Sequence, residues 1–112
     1  MDSSEKRRAQ RVLVNLEASY RSPGIALEGR VANLSRCGLF LRSEFLDDQG
    51  AQVKVGLNLP GGLGDVEIAG EVVRVDVSPM HSGMGIRFGS MSAPVRRALA
   101  NFMIERSYRA TA

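Results

Sequence analysis

Two short stretches of this chain carry residue types suited to ligand chemistry. One is a basic cluster, Lys6-Arg7-Arg8-Ala9-Gln10-Arg11; the other is Asn33-Leu34-Ser35-Arg36-Cys37-Gly38. An arginine presents a planar fork of donors that meets a phosphate with two parallel hydrogen bonds, and its flat face stacks on a ring. Lysine matches the charge but not the fork. In the second stretch Asn33 both donates and accepts, and the Ser35 hydroxyl serves either way. Gly38 allows close backbone approach or a positive φ. Taken singly, the cluster reads as a solvated tail and the stretch as a hairpin turn. Together they suit an anionic, flat, polar ligand. On an extended arm Arg7 and Arg11 point the same way roughly 13 Å apart, at about 3.3 Å per residue, so they reach different parts of one molecule.

Other chemistries find less support. His81 is the only histidine and falls in a loop without neighbouring carboxylates, which argues against a metal site or a general base. Cys37 beside Arg36 has no histidine near it in sequence to act as a nucleophile's partner. Asp47-Asp48 reads as part of a turn. Pro60-Gly61-Gly62-Leu63-Gly64-Asp65 lacks the lysine and hydroxyl residue that a phosphate loop needs, and strand-like residues flank it. It is expected to be a hairpin turn. No enzyme, cofactor or metal is expected.

The chain has 112 residues, 44% apolar and 24% charged, which fits one globular domain with its own core. A single cysteine excludes an internal disulfide and points to a reducing, cytoplasmic setting. No run resembles a signal-peptide core or reaches the roughly 18 to 20 apolar residues of a membrane span. The net charge of +3 is too modest to indicate nucleic-acid binding. Two tyrosines, four phenylalanines and no tryptophan supply few stacking platforms for a single strand, so nucleic acid ranks last among the partners.

The elements that must position these residues are mostly strands. From Val12 to Tyr20 apolar residues fall on even positions, a half-buried strand, and Ser22-Pro23-Gly24 turns the chain into a second strand near Ala26 to Asn33. Leu39 to Leu41 forms a short third strand, paired with the second through the Ser35 to Gly38 turn. Val53, Val55, Leu57 and Leu59 mark the fourth. The fifth spans Val66 to Val77, with a bulge near Gly70 that shifts the buried set to Val73, Val75 and Val77. The sixth covers Met84 to Phe88. Ser92 and Pro94 then open a helix of about 12 to 15 residues, with Val95, Leu99, Phe102 and Met103 on one stripe. The expected fold is mainly β, a small six-stranded antiparallel barrel with one C-terminal helix. The expected division is a flexible basic arm at 1–11, barrel and helix at 12–106, and a tail at 107–112.

The pattern resembles the PilZ domain, a bacterial receptor module for cyclic di-GMP. That family carries Arg-x-x-x-Arg ahead of the first strand and Asp or Asn-x-Ser-x-x-Gly after the second. Here Arg7 to Arg11 and Asn33 to Gly38 match both in full. Gly70-Glu71-Val72-Val73-Arg74 and Gly83-Met84-Gly85-Ile86-Arg87-Phe88 are similar to its later strands. One departure is Cys37, where many members have glycine. The resemblance implies that Arg7 and Arg11 hold guanine and phosphate, that Asn33, Ser35 and Gly38 surround a guanine, and that Lys6, Arg8, Arg36 and Arg74 are secondary contacts. It implies a cytoplasmic receptor whose arm reorders on the ligand and signals through a protein partner. The alternative is a ligand-independent interaction module of the same fold.

Overall fold

A computed structural model describes residues 11–59 and 64–111, from residue 106 onward by backbone alone. Lys6, Arg7 and Arg8, and the connection at 60–63, lie outside the described residues. The strands are β1 (Val12–Ser22), β2 (Ile25–Leu34), β3 (Gly38–Arg42), β4 (Gln52–Leu59), β5 (Gly64–Asp76) and β6 (Gly83–Phe88), followed by α1 (Ala93–Thr111). They close into a barrel in the order β1-β2-β3-β6-β5-β4, each neighbour antiparallel. Closure gives each described strand a neighbour on both sides.

Strand alternation sorts the side chains. Tyr20, Val31, Leu41, Val55, Ile68, Val72, Met84 and Ile86 point inward and are buried. The helix adds Leu99, Phe102 and Met103 to the same core and packs against β1 and β4. Its first turn is capped by Ser92, whose hydroxyl accepts from the Val95 amide at 3.3 Å. β1 and β2 join through Pro23-Gly24, where Gly24 takes a φ of +82° that a side chain would oppose. β4 and β5 pair as far as Leu59 and Gly64, as a hairpin through the glycine-rich segment requires. No described helix is long and apolar enough to cross a membrane.

Two expectations need correction. The bulge in β5 lies between Val72 and Arg74, past Gly70. Val73 is the extra residue and is 37% exposed, while Val77 is 73% exposed, so neither joins the core. Gly70 instead permits close packing, because an added Cβ would meet the Arg87 carbonyl oxygen at 2.7 Å. The helix is 19 residues long and runs past residue 106 to Thr111, since no glycine or proline follows Pro94 to stop it.

Asp47 is more than a turn residue. Its carboxylate accepts from the buried Tyr20 hydroxyl at 2.7 Å and ties the β3–β4 connection to β1. Burial and then Asp47 raise the Tyr20 pKa well above its ordinary value, while the Tyr20 hydroxyl, followed by Ser22, lowers that of Asp47. A depressed carboxylate stabilises the fold above the unfolded value near 3.8 and loses that contribution as pH falls through its folded value. The raised tyrosine acts in the opposite window, losing its contribution as pH rises beyond 10.0. Tyr20→Phe is expected to cost about 1 to 3 kcal/mol at neutral pH. Chemical denaturation across pH 3 to 7 should show a shallower acid loss in the variant than in the wild type.

Candidate ligand-binding site

The turn between β2 and β3 is built by Ser35. Its hydroxyl accepts from the backbone amides of Cys37 and Gly38, both at 3.1 Å, and its own amide donates to the Gly38 carbonyl at 2.8 Å. Ser35 is buried, 1% exposed, and with the Tyr20 hydroxyl it supplies the buried side-chain oxygens among the described residues. Gly38 begins β3 opposite Arg87, and a Cβ there would press into the backbone carbonyl of Ile86. The turn therefore needs a hydroxyl at 35 and a bare backbone at 38 before any ligand is considered.

Beside it, the outward positions of five strands fall into one transverse row. Leu13 pairs with Asn33, Asn33 with Phe40, Phe40 with Gly85, and Gly85 with Arg74. Bulges interrupt β1 between Leu13 and Leu16, β2 between Val31 and Asn33, and β5 between Val72 and Arg74. All three adjoin this row. Bulges bend a strand and re-aim its side chains, and here they dish the barrel wall. The result is a cleft of about 490 Å³, within the roughly 300 to 1,000 Å³ typical of small-molecule sites.

Arg11, Asn33, Cys37, Gly38, Arg74 and Arg87 line that cleft, over a floor that includes Phe40 and Gly85. Arg11 Nη1 donates to Asn33 Oδ1 at 2.6 Å, so residues 22 positions apart in sequence are joined. Arg87 Nη2 donates to Glu71 Oε1 at 3.1 Å. The Arg74 guanidinium carbon lies 5.4 Å from the centre of the Phe40 ring. Among the described residues three arginines and no carboxylate line the cleft, which makes it a place for an anion. A second hollow, of about 500 Å³ around Gly56, has the opposite character, with Glu17, Glu28, Asp65 and Glu67 in its wall.

Of the candidates read from sequence, Arg11, Asn33, Gly38 and Arg74 come together in the cleft. Ser35 stands behind it, its hydroxyl turned into its own turn. Arg36 is exposed at the tip of the turn and does not line the cleft. Cys37, the departure from the family pattern, is exposed on the rim. Sequence reading left out Phe40, Gly85 and Arg87. The outward parity of Phe40 beside two inward leucines was the available signal, since an aromatic on the solvent side of a strand needs a cover.

Comparisons with known proteins agree with this fold. The PilZ domain model matches residues 5–105. No curated protein matches the chain. Among solved structures, the Bacillus subtilis inhibitor of motility, MotI/DgrA, is 18% identical with a TM-score of 0.80, over 92% of this chain and 52% of its own. The PilZ domain of YcgR from Escherichia coli, with c-di-GMP, is 16% identical with a TM-score of 0.71, over 94% of each chain. K. pneumonia MrkH, in its c-di-GMP complex, is 15% identical with a TM-score of 0.75, over 94% of this chain and 53% of its own. The chain thus spans about half the length of MotI/DgrA and of MrkH. With the family model matched from residue 5 to residue 105, on a six-stranded barrel that brings Arg11 onto Asn33, the chain belongs to the PilZ domain family.

Proposed function

We propose that this chain is a cyclic di-GMP receptor that works as an adaptor and not as an enzyme. The observation that carries the reading is the meeting of Arg11 and Asn33 at 2.6 Å on the rim of an arginine-lined cleft. Cyclic di-GMP offers two phosphodiesters and two guanines. Arginine forks suit both phosphate oxygens and the O6 and N7 edge of guanine. Two similar structures, those of the YcgR PilZ domain and of MrkH, hold c-di-GMP, which supports the same ligand here.

In this reading the cleft is the fixed half of the site and the basic arm is the other half. Arg7 and Arg11 grip the ligand, Lys6 and Arg8 add contacts, Asn33 and the backbone at Gly38 meet a guanine, and Ser35 holds the turn that presents them. Arg36 reaches the ligand from the tip. Binding draws the arm across the ligand, and a cytoplasmic protein partner reads the new surface. The shift in the arm is limited by the difference in the ligand's affinity for its two states.

A second reading has one observation in its favour. Ser35 and Gly38 serve the barrel itself, so the Asn-x-Ser-x-x-Gly motif is useful without any ligand. On that reading the chain is a ligand-independent interaction module.

Titration calorimetry with cyclic di-GMP separates the two. Arg7→Ala and Arg11→Ala should each cost about 1 to 3 kcal/mol of binding, or roughly tenfold to a hundredfold in affinity. Wild-type affinity in both variants would overturn the receptor reading. Thermal melting gives an independent check: at a hundredfold excess over Kd the ligand should add about 2.7 kcal/mol of stability. An unmoved melt favours the module.

Ser35→Ala should lower the stability of the free chain by about 1 to 3 kcal/mol, because two amides lose their acceptor. Denaturant unfolding without ligand measures this, and an unchanged midpoint would count against the turn-holding role.

A further inference from the structure

Arg74 differs from the other arginines on the barrel wall. Arg11 is held by Asn33, Arg21 by Glu67, Arg30 by Asn15 and Glu17, and Arg87 by Glu71. Among the described residues, Arg74 meets only the ring of Phe40. A cation over an aromatic face is held in place without using any of its hydrogen-bond donors. Those donors stay available to whatever enters the cleft.

The seat for this pair is made by absences. Phe40 and Arg74 lie on either side of Gly85 in the transverse row, so nothing projects between them. A Cβ on Gly85 would come within 3.3 Å of the Arg74 Cβ. The Phe40 ring leans along β6 over Gly83, where a Cβ would lie 2.7 Å from two ring carbons. Phe40 is 8% exposed although it points outward, whereas Arg74 remains exposed on the cleft wall. The ring is thus covered by the arginine, and the far side of the arginine opens on the cleft.

We propose that Phe40 is a positioning residue, which holds the Arg74 guanidinium so that the two together form a stacking platform for a planar base of the ligand. The proposal rests on the cyclic di-GMP reading above and assigns a role to residues that the family motifs do not contain. A loose arginine must be ordered as it binds, and the ring removes part of that cost in advance. Base stacking on a prepared plane is worth enough to matter beside the contacts at Arg11.

Two measurements on the full chain test it. In the absence of ligand, the ring current of Phe40 should displace the Arg74 side-chain proton resonances. Phe40→Leu should remove that displacement and Phe40→Tyr should keep it. In calorimetry with cyclic di-GMP, Arg74→Ala should weaken binding about tenfold. Phe40→Leu should weaken it about threefold, and Phe40→Tyr should bind like the wild type. The double variant should bind no more weakly than Arg74→Ala alone. If Phe40→Leu melts far below the wild type, Gly85→Ala takes its place, since its methyl crowds the Arg74 Cβ at 3.3 Å and should shift that side chain while the nearest contacts include no ring atom.

Unmoved Arg74 resonances in Phe40→Leu, wild-type affinity in Arg74→Ala, or losses that multiply in the double variant would each overturn the platform and leave the receptor reading standing. A wild-type chain that binds no cyclic di-GMP overturns both.

Discussion

The contact on which this structure most depends is the approach of Gly38 to the Ile86 carbonyl, where β3 meets β6 and the barrel closes. Any side chain at 38 would force the two strands apart. Ser35 secures the same corner from inside by taking up the amides of Cys37 and Gly38, and the Phe88 amide then donates to the Cys37 carbonyl at 2.7 Å. The sequence signature at 33–38 is therefore first a closing device. Its chemistry toward a ligand is built on a corner that the barrel already requires.

That corner borders the cleft, and the rest of the site follows from what a closed barrel does with its outer face. Inward positions are committed to Leu34, Leu39, Leu41, Ile86 and their neighbours. Outward positions are free to carry charge, and they do so unevenly. Arginines gather beside β2, β3, β5 and β6, whereas carboxylates gather around Gly56 on the β1 and β4 side. An anion approaching the molecule meets a wall of favourable sign where the three bulges have dished it.

Much of this was legible in the residues. Period-two runs gave the strands and their faces, and the helix stripe of Leu99, Phe102 and Met103 was readable from spacing alone. Of the four candidates that share the cleft, Arg11, Asn33 and Gly38 came from motifs whose spacing carries a chemical reason, and Arg74 from the resemblance of its strand to the family's. What could not be read was long-range. Nothing local tells Asp47 that Tyr20 lies above it, because their contact depends on how the β3–β4 connection folds over the barrel end. The bulge at Val73 could not be separated from one at Gly70, since both satisfy the same change of parity. Phe40 gained a partner only when the strand order placed Gly85 and Arg74 beside it.

The alternation of inward and outward side chains also divides the chain's history. Selection for folding acts on the inward set and on Ser35 and Gly38, while on the proposed function selection for a ligand acts on Arg11, Asn33, Phe40 and Arg74. A lineage that lost its second messenger would be free to drift at the second group and would still be obliged to keep the first. Retention of the serine and glycine in a distant descendant would then record ancestry of the barrel, and only the outward row would record whether the messenger is still heard.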